Sequence, residues 1–489
     1  MNRVYKILIP ILFVLVGCSK DYLDIAPSNS INSENFFVSK DDAIAAVNGA
    51  YQVLQWPNNY NLRIWALDIV AGNAVVGAGG GDDGLETKQL SNFLVNLDNP
   101  GVEDMWRGIW PGVARANLVI EKVPDMDIEE GLKKRVIAEA KFLQALYYFN
   151  GVRTFGGLPI IPEPSDNLYV KRESVEATYK FILSDLESAA TGLPVKYDGT
   201  EGNEVGRATK GAAFSLMTKV YLALGQYDLA ESTGKQVVAL GVYDLNADYS
   251  ENFDPNNENS KESIFEVQYS SGAGFGQFDK PHQGAWVTEF TNPRGSGISP
   301  GGGFGWGHVT QEFVDAYESG DLRLQYTVWQ DGDTYNGFTY TSDLSTTGYN
   351  IKKWVKGSNS INGIDSDLNF PIIRYSDLLL MIAEAINEQG RPAEAAAFIE
   401  QVRNRAGLFD DLSGLTQDQM REKILHERRI ELAFEGQWWF DIMRAGPDYA
   451  ATYFQGIGKE NFDKTKHVLF PIPQTDIDLN PNLEQNPNY

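Results

Sequence analysis

Between residues 374 and 407 apolar side chains recur with the period of an α-helix. Leu378, Ile382, Ala385 and Ile386 fall at i, i+4, i+7 and i+8, so they share one face, with Asp377, Glu384 and Asn387 off it. Gly390 ends this helix and Pro392 opens the next, where the missing N–H of proline is harmless. Ala395, Phe398, Val402 and Ala406 then resume the spacing. The pattern predicts a helical hairpin with both apolar faces turned inward.

Residues 212–240 repeat the unit. Gly225 precedes Ala230 by five positions, as Gly390 precedes Ala395, and Tyr221 and Ile386 each stand four residues before the turn glycine. Small alanines let paired helices approach, and the glycine permits the reversal. This resembles a degenerate tetratricopeptide repeat. Further helices are predicted over 41–55, 105–123 (with Pro111 kinking it), 132–150 and 174–190, and Thr416 and Gln419 fit a capping box before another. Trp106 and Trp110, at i and i+4, read as core, and Trp438 and Trp439 read as structural.

From about 241 to 370 helical periodicity fades. Residues 264–269 alternate partly and predict a strand, and 271–307 hold eleven glycines interleaved with Phe275, Phe278, Trp286, Phe290, Phe304 and Trp306. A glycine-rich stretch of that length inside a compact chain is usually functional. The tail after His467 is broken by prolines and cannot be regular helix.

Composition narrows the function. The 489 residues are 43% hydrophobic, enough for one elaborated domain or two intimate ones. A net charge of −25 argues against nucleic acid and against docking of the folded part on anionic lipid. Aromatic residues make up 12% of the chain, a large supply of flat apolar faces. At the start, Arg3 and Lys6 precede an apolar run over 7–16, too short to span a bilayer and typical of a secretion signal. It ends in Leu15-Val16-Gly17-Cys18, the pattern of a bacterial lipobox, which predicts lipidation of Cys18 and anchoring to an outer membrane. Cys18 is the sole cysteine, so an intrachain disulfide is excluded.

Catalytic and metal motifs are weak. Gly297-Ile298-Ser299-Pro300-Gly301 matches a nucleophile elbow, but Pro300 lacks the N–H needed as oxyanion donor. Residues 79–84 match a dinucleotide motif in form only, since Asp82 and Asp83 would repel a pyrophosphate. The stretch from Asp365 begins like a calcium loop, but Phe370 stands where a glycine is needed, leaving a calcium held by loop carbonyls open. His282, His308, His426 and His467 share no ligand spacing. Arg428 and Glu431, at i and i+3, are spaced to pair.

Binding is better supported. A sugar ring has an apolar C–H face, which an aromatic ring can cover, and a hydroxyl edge that polar side chains can satisfy. Trp286, Trp306 and Phe290 lie in the glycine-rich stretch among Gln283, Thr288, Glu289, Asn292, Arg294 and His308, and Trp56 and Tyr60 flank Asn58 and Asn59. These five aromatics are the predicted ligand-binding residues, with their rings facing water.

Cys18, the stretch AEAKFLQALYYFNGVRTFGGLPII, NFPIIRYSDLLLMIAEA, HERRIELAFEGQWWFDIMR and the closing LFPIPQTDIDLNPNLEQNPNY together resemble the SusD/RagB family of outer-membrane nutrient-binding lipoproteins. The resemblance covers nearly the whole chain. It implies an all-α fold of tetratricopeptide-like helical hairpins with a loop-rich portion carrying short strands. It also implies a non-catalytic glycan-binding protein, displayed on the cell surface, that serves a SusC-like TonB-dependent transporter without a cofactor. The expected layout is a signal peptide over 1–17 and one domain over 18–489, with helical scaffold mainly in 36–240 and 371–445 and a ligand-facing portion over 241–370. A surface glycoside hydrolase and a lipid-tethered assembly scaffold remain as alternatives.

Overall fold

The structure is a computed structural model that describes residues 36–77, 83–167, 169–197, 199, 204–272, 283–357 and 364–489. The signal peptide, Cys18, Gly79–Asp82 of the glycine motif, Phe275, Phe278 and His282 lie outside the described residues.

Paired antiparallel helices form the scaffold. The longest, Glu130–Phe155, is buried along most of its second half and packs on Val175–Gly192, Trp110–Lys122 and Lys40–Gln52. The two repeat units are Lys210–Ala223 with Tyr227–Ala239, and Tyr375–Glu388 with Pro392–Arg405. Their turn glycines have φ of +66° at Gly225 and +77° at Gly390, left-handed values that a residue with a Cβ adopts only at a cost. The hairpins pack on each other at Gly234, where an added Cβ would lie 2.6 Å from Ile382 Cγ1. Thr416 caps Gln417–Glu431 through the predicted box with Gln419. The predicted helix over 105–123 is instead two helices, Pro100–Arg107 and Trp110–Lys122, and Pro111 starts the second rather than kinking one.

Strands are few and short. Ser263–Val267 pairs antiparallel with Phe370–Arg374, joining the start of the loop-bearing portion to the returning scaffold. A four-stranded sheet runs in the order Ala74–Val76, Gly307–Val309, Asn350–Ile351, Val328–Trp329.

Ion pairs lie inside the scaffold. Arg374, 1% exposed, contacts Glu262, Glu431 and Glu435 at 2.7–2.8 Å, and Glu431 also meets Arg323 and Arg405. Burial alone would raise the Glu431 carboxyl, but the guanidinium groups of Arg405, Arg374 and Arg323 hold it well below the usual carboxylate range. Arg428 turns instead to Asp377 and Asp441, both at 2.9 Å. The expected Arg428–Glu431 pair is thus replaced by tertiary partners, which desolvated charges require more than a local contact supplies. Trp106, Trp438 and Trp439 are core residues at 1–3% exposure.

Candidate functional site

Residues 283–307 of the glycine-rich stretch pack their aromatics into the main hydrophobic core. Phe304 N donates to Glu289 O at 2.8 Å, Gly305 N to Asn292 O at 2.9 Å and Trp306 N to Phe290 O at 2.8 Å. This ladder stacks the short helix Val287–Thr291 against the strand Gly307–Val309 and draws their aromatics together. Phe290 lies 5.6 Å from Trp286 in a parallel stack, and 5.1 Å from Trp306 and 5.2 Å from Phe304 edge-on. Trp65 of the scaffold closes the cluster 6.3 Å from Phe290.

The rings expected to face water therefore do not. Trp286 and Trp306 are 6% exposed, Phe290 5% and Tyr60 2%. The cause is the ladder, which turns the ring faces onto one another, where apolar area leaves water. Tyr60 accepts a hydrogen bond from Asn150 Nδ2 at 2.8 Å and packs on Phe370. Of the polar neighbours, Gln283 and Arg294 are exposed, and Thr288, Glu289, Asn292 and His308 are buried. Burial pushes the Glu289 carboxyl up, and it accepts from Gly303 N at 2.7 Å. Burial and the neighbouring Arg294 bring His308 down to about 4, and its Nδ1 lies 2.8 Å from Thr346 Oγ1.

Trp56 is half-buried and packs against the core, the least buried of the five candidate aromatics. The Arg115 guanidinium sits 5.3 Å from its centroid and is held by Gly49 O and Gln52 Oε1. Asn61 brings this segment to the glycine-rich one: its Nδ2 donates to Gln55 O and Gly284 O at 2.9 and 3.0 Å, and its Oδ1 accepts from Trp286 N at 2.6 Å. Two stretches more than 200 residues apart in the chain are thereby adjacent.

Beside that junction lies a pocket of about 350 Å³, lined among others by Asn48, Tyr51, Gln52, Gln55, Gln268 and Gln283. Its polar wall is a network of amides. Gln55 Nε2 donates to Gln268 O at 2.8 Å, and the Gln268 and Asn259 side chains exchange hydrogen bonds at 2.8 and 3.0 Å. Gly206, at φ +93°, lets the backbone press on Gln268, whose Cδ would be 2.4 Å from an added Cβ. Arg207 covers the Tyr51 ring at 5.8 Å and donates to Asn48 Oδ1 at 2.9 Å. Glu266 also lines the pocket; burial pushes it up to about 7, and burial together with Glu266 pushes Glu258 up to about 8. Neutral amides oriented by one another offer donors and acceptors together, which suits hydroxyl-rich ligands. Sequence reasoning had singled out Gln283 and missed Tyr51, Gln52, Gln55 and Gln268. The available signal was Gln52 and Gln55 at i and i+3 off an apolar helix face, and Gln268 where the strand alternation ends.

Among the described residues no group of three His, Cys, Asp or Glu side chains is arranged to hold a metal ion, and no helix is long and apolar enough to cross a membrane.

Comparison with known proteins fits this architecture. A family model described as "Starch-binding associating with outer membrane" matches residues 21–222. A SusD-like protein of Formosa agariphila is 29% identical over 99% of both chains. A solved structure described as a laminarin-binding SusD-like protein superposes with a TM-score of 0.79 at 27% identity, covering 92% of this chain and 100% of that one. Surface glycan-binding protein A from Bacteroides fluxus gives 0.78 at 25% identity, over 92% and 100% of the two chains. The SusD family model matches residues 244–489, half of the sequence, and the chain belongs to the SusD family.

Proposed function

We propose that this protein is a non-catalytic carbohydrate-binding protein that captures oligo- or polysaccharide at the amide-lined pocket and passes it to a SusC-like TonB-dependent transporter. What carries the reading is the pocket walled by the amides of Gln52, Gln55, Gln268 and Gln283, with Gln55 and Gln268 hydrogen-bonded to one another and Trp56 following Gln55 in the chain. In this reading the Trp56 ring covers the C–H face of a sugar and the amides take its hydroxyls. Trp286, Trp306 and Phe290 act beneath the site, holding the glycine-rich backbone in place, and Tyr60 fixes the turn that carries Trp56. A lipid on Cys18 tethers the domain to the outer membrane. Support also comes from relatives described as binding starch and laminarin.

Affinity electrophoresis against a panel that includes starch and laminarin tests this directly. Retardation on at least one polysaccharide is expected, with no release of reducing ends on prolonged incubation. Migration unaffected by every glycan, or steady release of reducing sugar, would overturn it.

A further inference from the structure

A cleft of about 1000 Å³ opens among the helical hairpins and shares no lining residue with the amide pocket. Its walls mix charged side chains with apolar ones, Val152, Leu222, Met381, Leu425, Met443 and Leu469 among the latter. Six cations also line it. Five of these are neutralised: Lys219 by Asp377, Arg428 by Asp377 and Asp441, Arg444 by Glu384 and Asp441, Arg421 by Glu388 and Asp418, and Lys464 by Asp448.

Arg153 is the exception. Among the described residues no carboxylate lies within 4.0 Å of it, although the chain as a whole carries a net charge of −25. Its guanidinium is wedged between the rings of Phe149 and Phe440, with centroids 4.0 and 3.8 Å away. Nη2 donates to Asn150 Oδ1 at 2.9 Å and Nε to Phe149 O at 3.4 Å, and Nη1 donates to no described residue. The rings fix the plane of the guanidinium and exclude water from its faces, so its free edge is preorganised. Burial brings Arg153 down to about 10, against the smaller opposing pull of Tyr60, Tyr179, Asp441 and Asp377. Arg153 is half-buried, with no carboxylate of the described residues in direct contact, so an incoming carboxylate would find a partly desolvated, oriented donor edge.

We propose that this cleft receives an extended segment of a partner polypeptide in which a carboxylate stands between apolar side chains, the carboxylate meeting Arg153. The walls favour a peptide over a saccharide. Their charged groups are already engaged with one another, so few donors remain for a rim of hydroxyls, whereas the aliphatic surface suits apolar side chains.

The test titrates the full chain with acetyl-Leu-Asp-Leu-Phe-amide and with its Asn counterpart, by calorimetry, with a glucuronate trisaccharide as the third probe. The acidic peptide is expected to bind at least about tenfold more tightly than the amide one, as a charge-assisted contact requires. Arg153→Gln should abolish that preference and Arg153→Lys should restore part of it. Leu425→Trp, which narrows the cleft and leaves the Arg153 side chain in place, should weaken both peptides. Equal affinities for the two peptides, no binding of either at millimolar concentration, or binding of the trisaccharide in their place would overturn the proposal. The wild-type comparison decides even where Arg153→Gln fails to fold, and glycan binding at the other opening is unaffected by either result.

Discussion

Trp439 and Trp306 stand in opposite kinds of backbone and reach nearly the same burial, 1% and 6%. Trp439 is on a helix of the scaffold, stacked on Phe470 at 5.2 Å, where the helical period delivered it to the core. Trp306 is in a stretch crowded with glycines, and non-local backbone hydrogen bonds delivered it instead. Buried ion pairs around Arg374 and Glu431 tie the scaffold to the loop-bearing portion, which supplies Glu262 and Arg323, and aromatic packing holds the glycine-rich backbone. The difference teaches that glycine-rich backbone here is a means of close approach. Gly307 makes the point: an added Cβ would lie 2.1 Å from Ile351 Cδ1 on the neighbouring strand.

The comparison can be broken first on the scaffold side. Arg374→Met leaves Glu262, Glu431 and Glu435 short of a cation in the interior and should cost about 3–5 kcal/mol in denaturant unfolding. On the loop side Trp306→Ala should cost about 3 kcal/mol, since it removes a buried indole from a packed cluster. A Trp306→Ala protein of unchanged stability would mean that the glycine-rich loops do not contribute to the core.

Smaller effects sharpen the contrast. Glu266 is titrated near 4.5 when unfolded and near 7 when folded. Between those values the unfolded chain has lost the proton that the folded chain still holds, so wild-type stability should fall as pH rises from about 4.5 to about 7. Glu266→Gln should reduce that slope in unfolding curves taken across the window, with Glu258 retaining part of it. Trp56→Ala, at a half-buried ring, should change stability by no more than about 1 kcal/mol while lowering glycan affinity.

Both repeat hairpins were legible in the sequence because a 3.6-residue period and a turn glycine are local signals, and Gly225 and Gly390 fell where the period stopped. Exposure of Trp286 and Trp306 was not legible. An aromatic flanked by glycines looks the same whether it joins the core or faces water, and the ladder from 289–292 to 304–306 joins positions with no shared periodicity. The Arg428–Glu431 spacing misled for a related reason, as both groups found better partners on other elements. Most of the pocket amides escaped because three separated segments supply them.

Sugar is expected to be held by the amide pocket and Trp56 rather than by the buried indoles. Calorimetric titration of one bound oligosaccharide into wild type, a Trp56→Ala, Gln283→Ala double variant and Trp306→Ala tests it most directly, with melting temperature read alongside. The account predicts at least about a tenfold loss of affinity at unchanged melting temperature in the double variant, and a lowered melting temperature in Trp306→Ala. Undiminished binding in the double variant would contradict it.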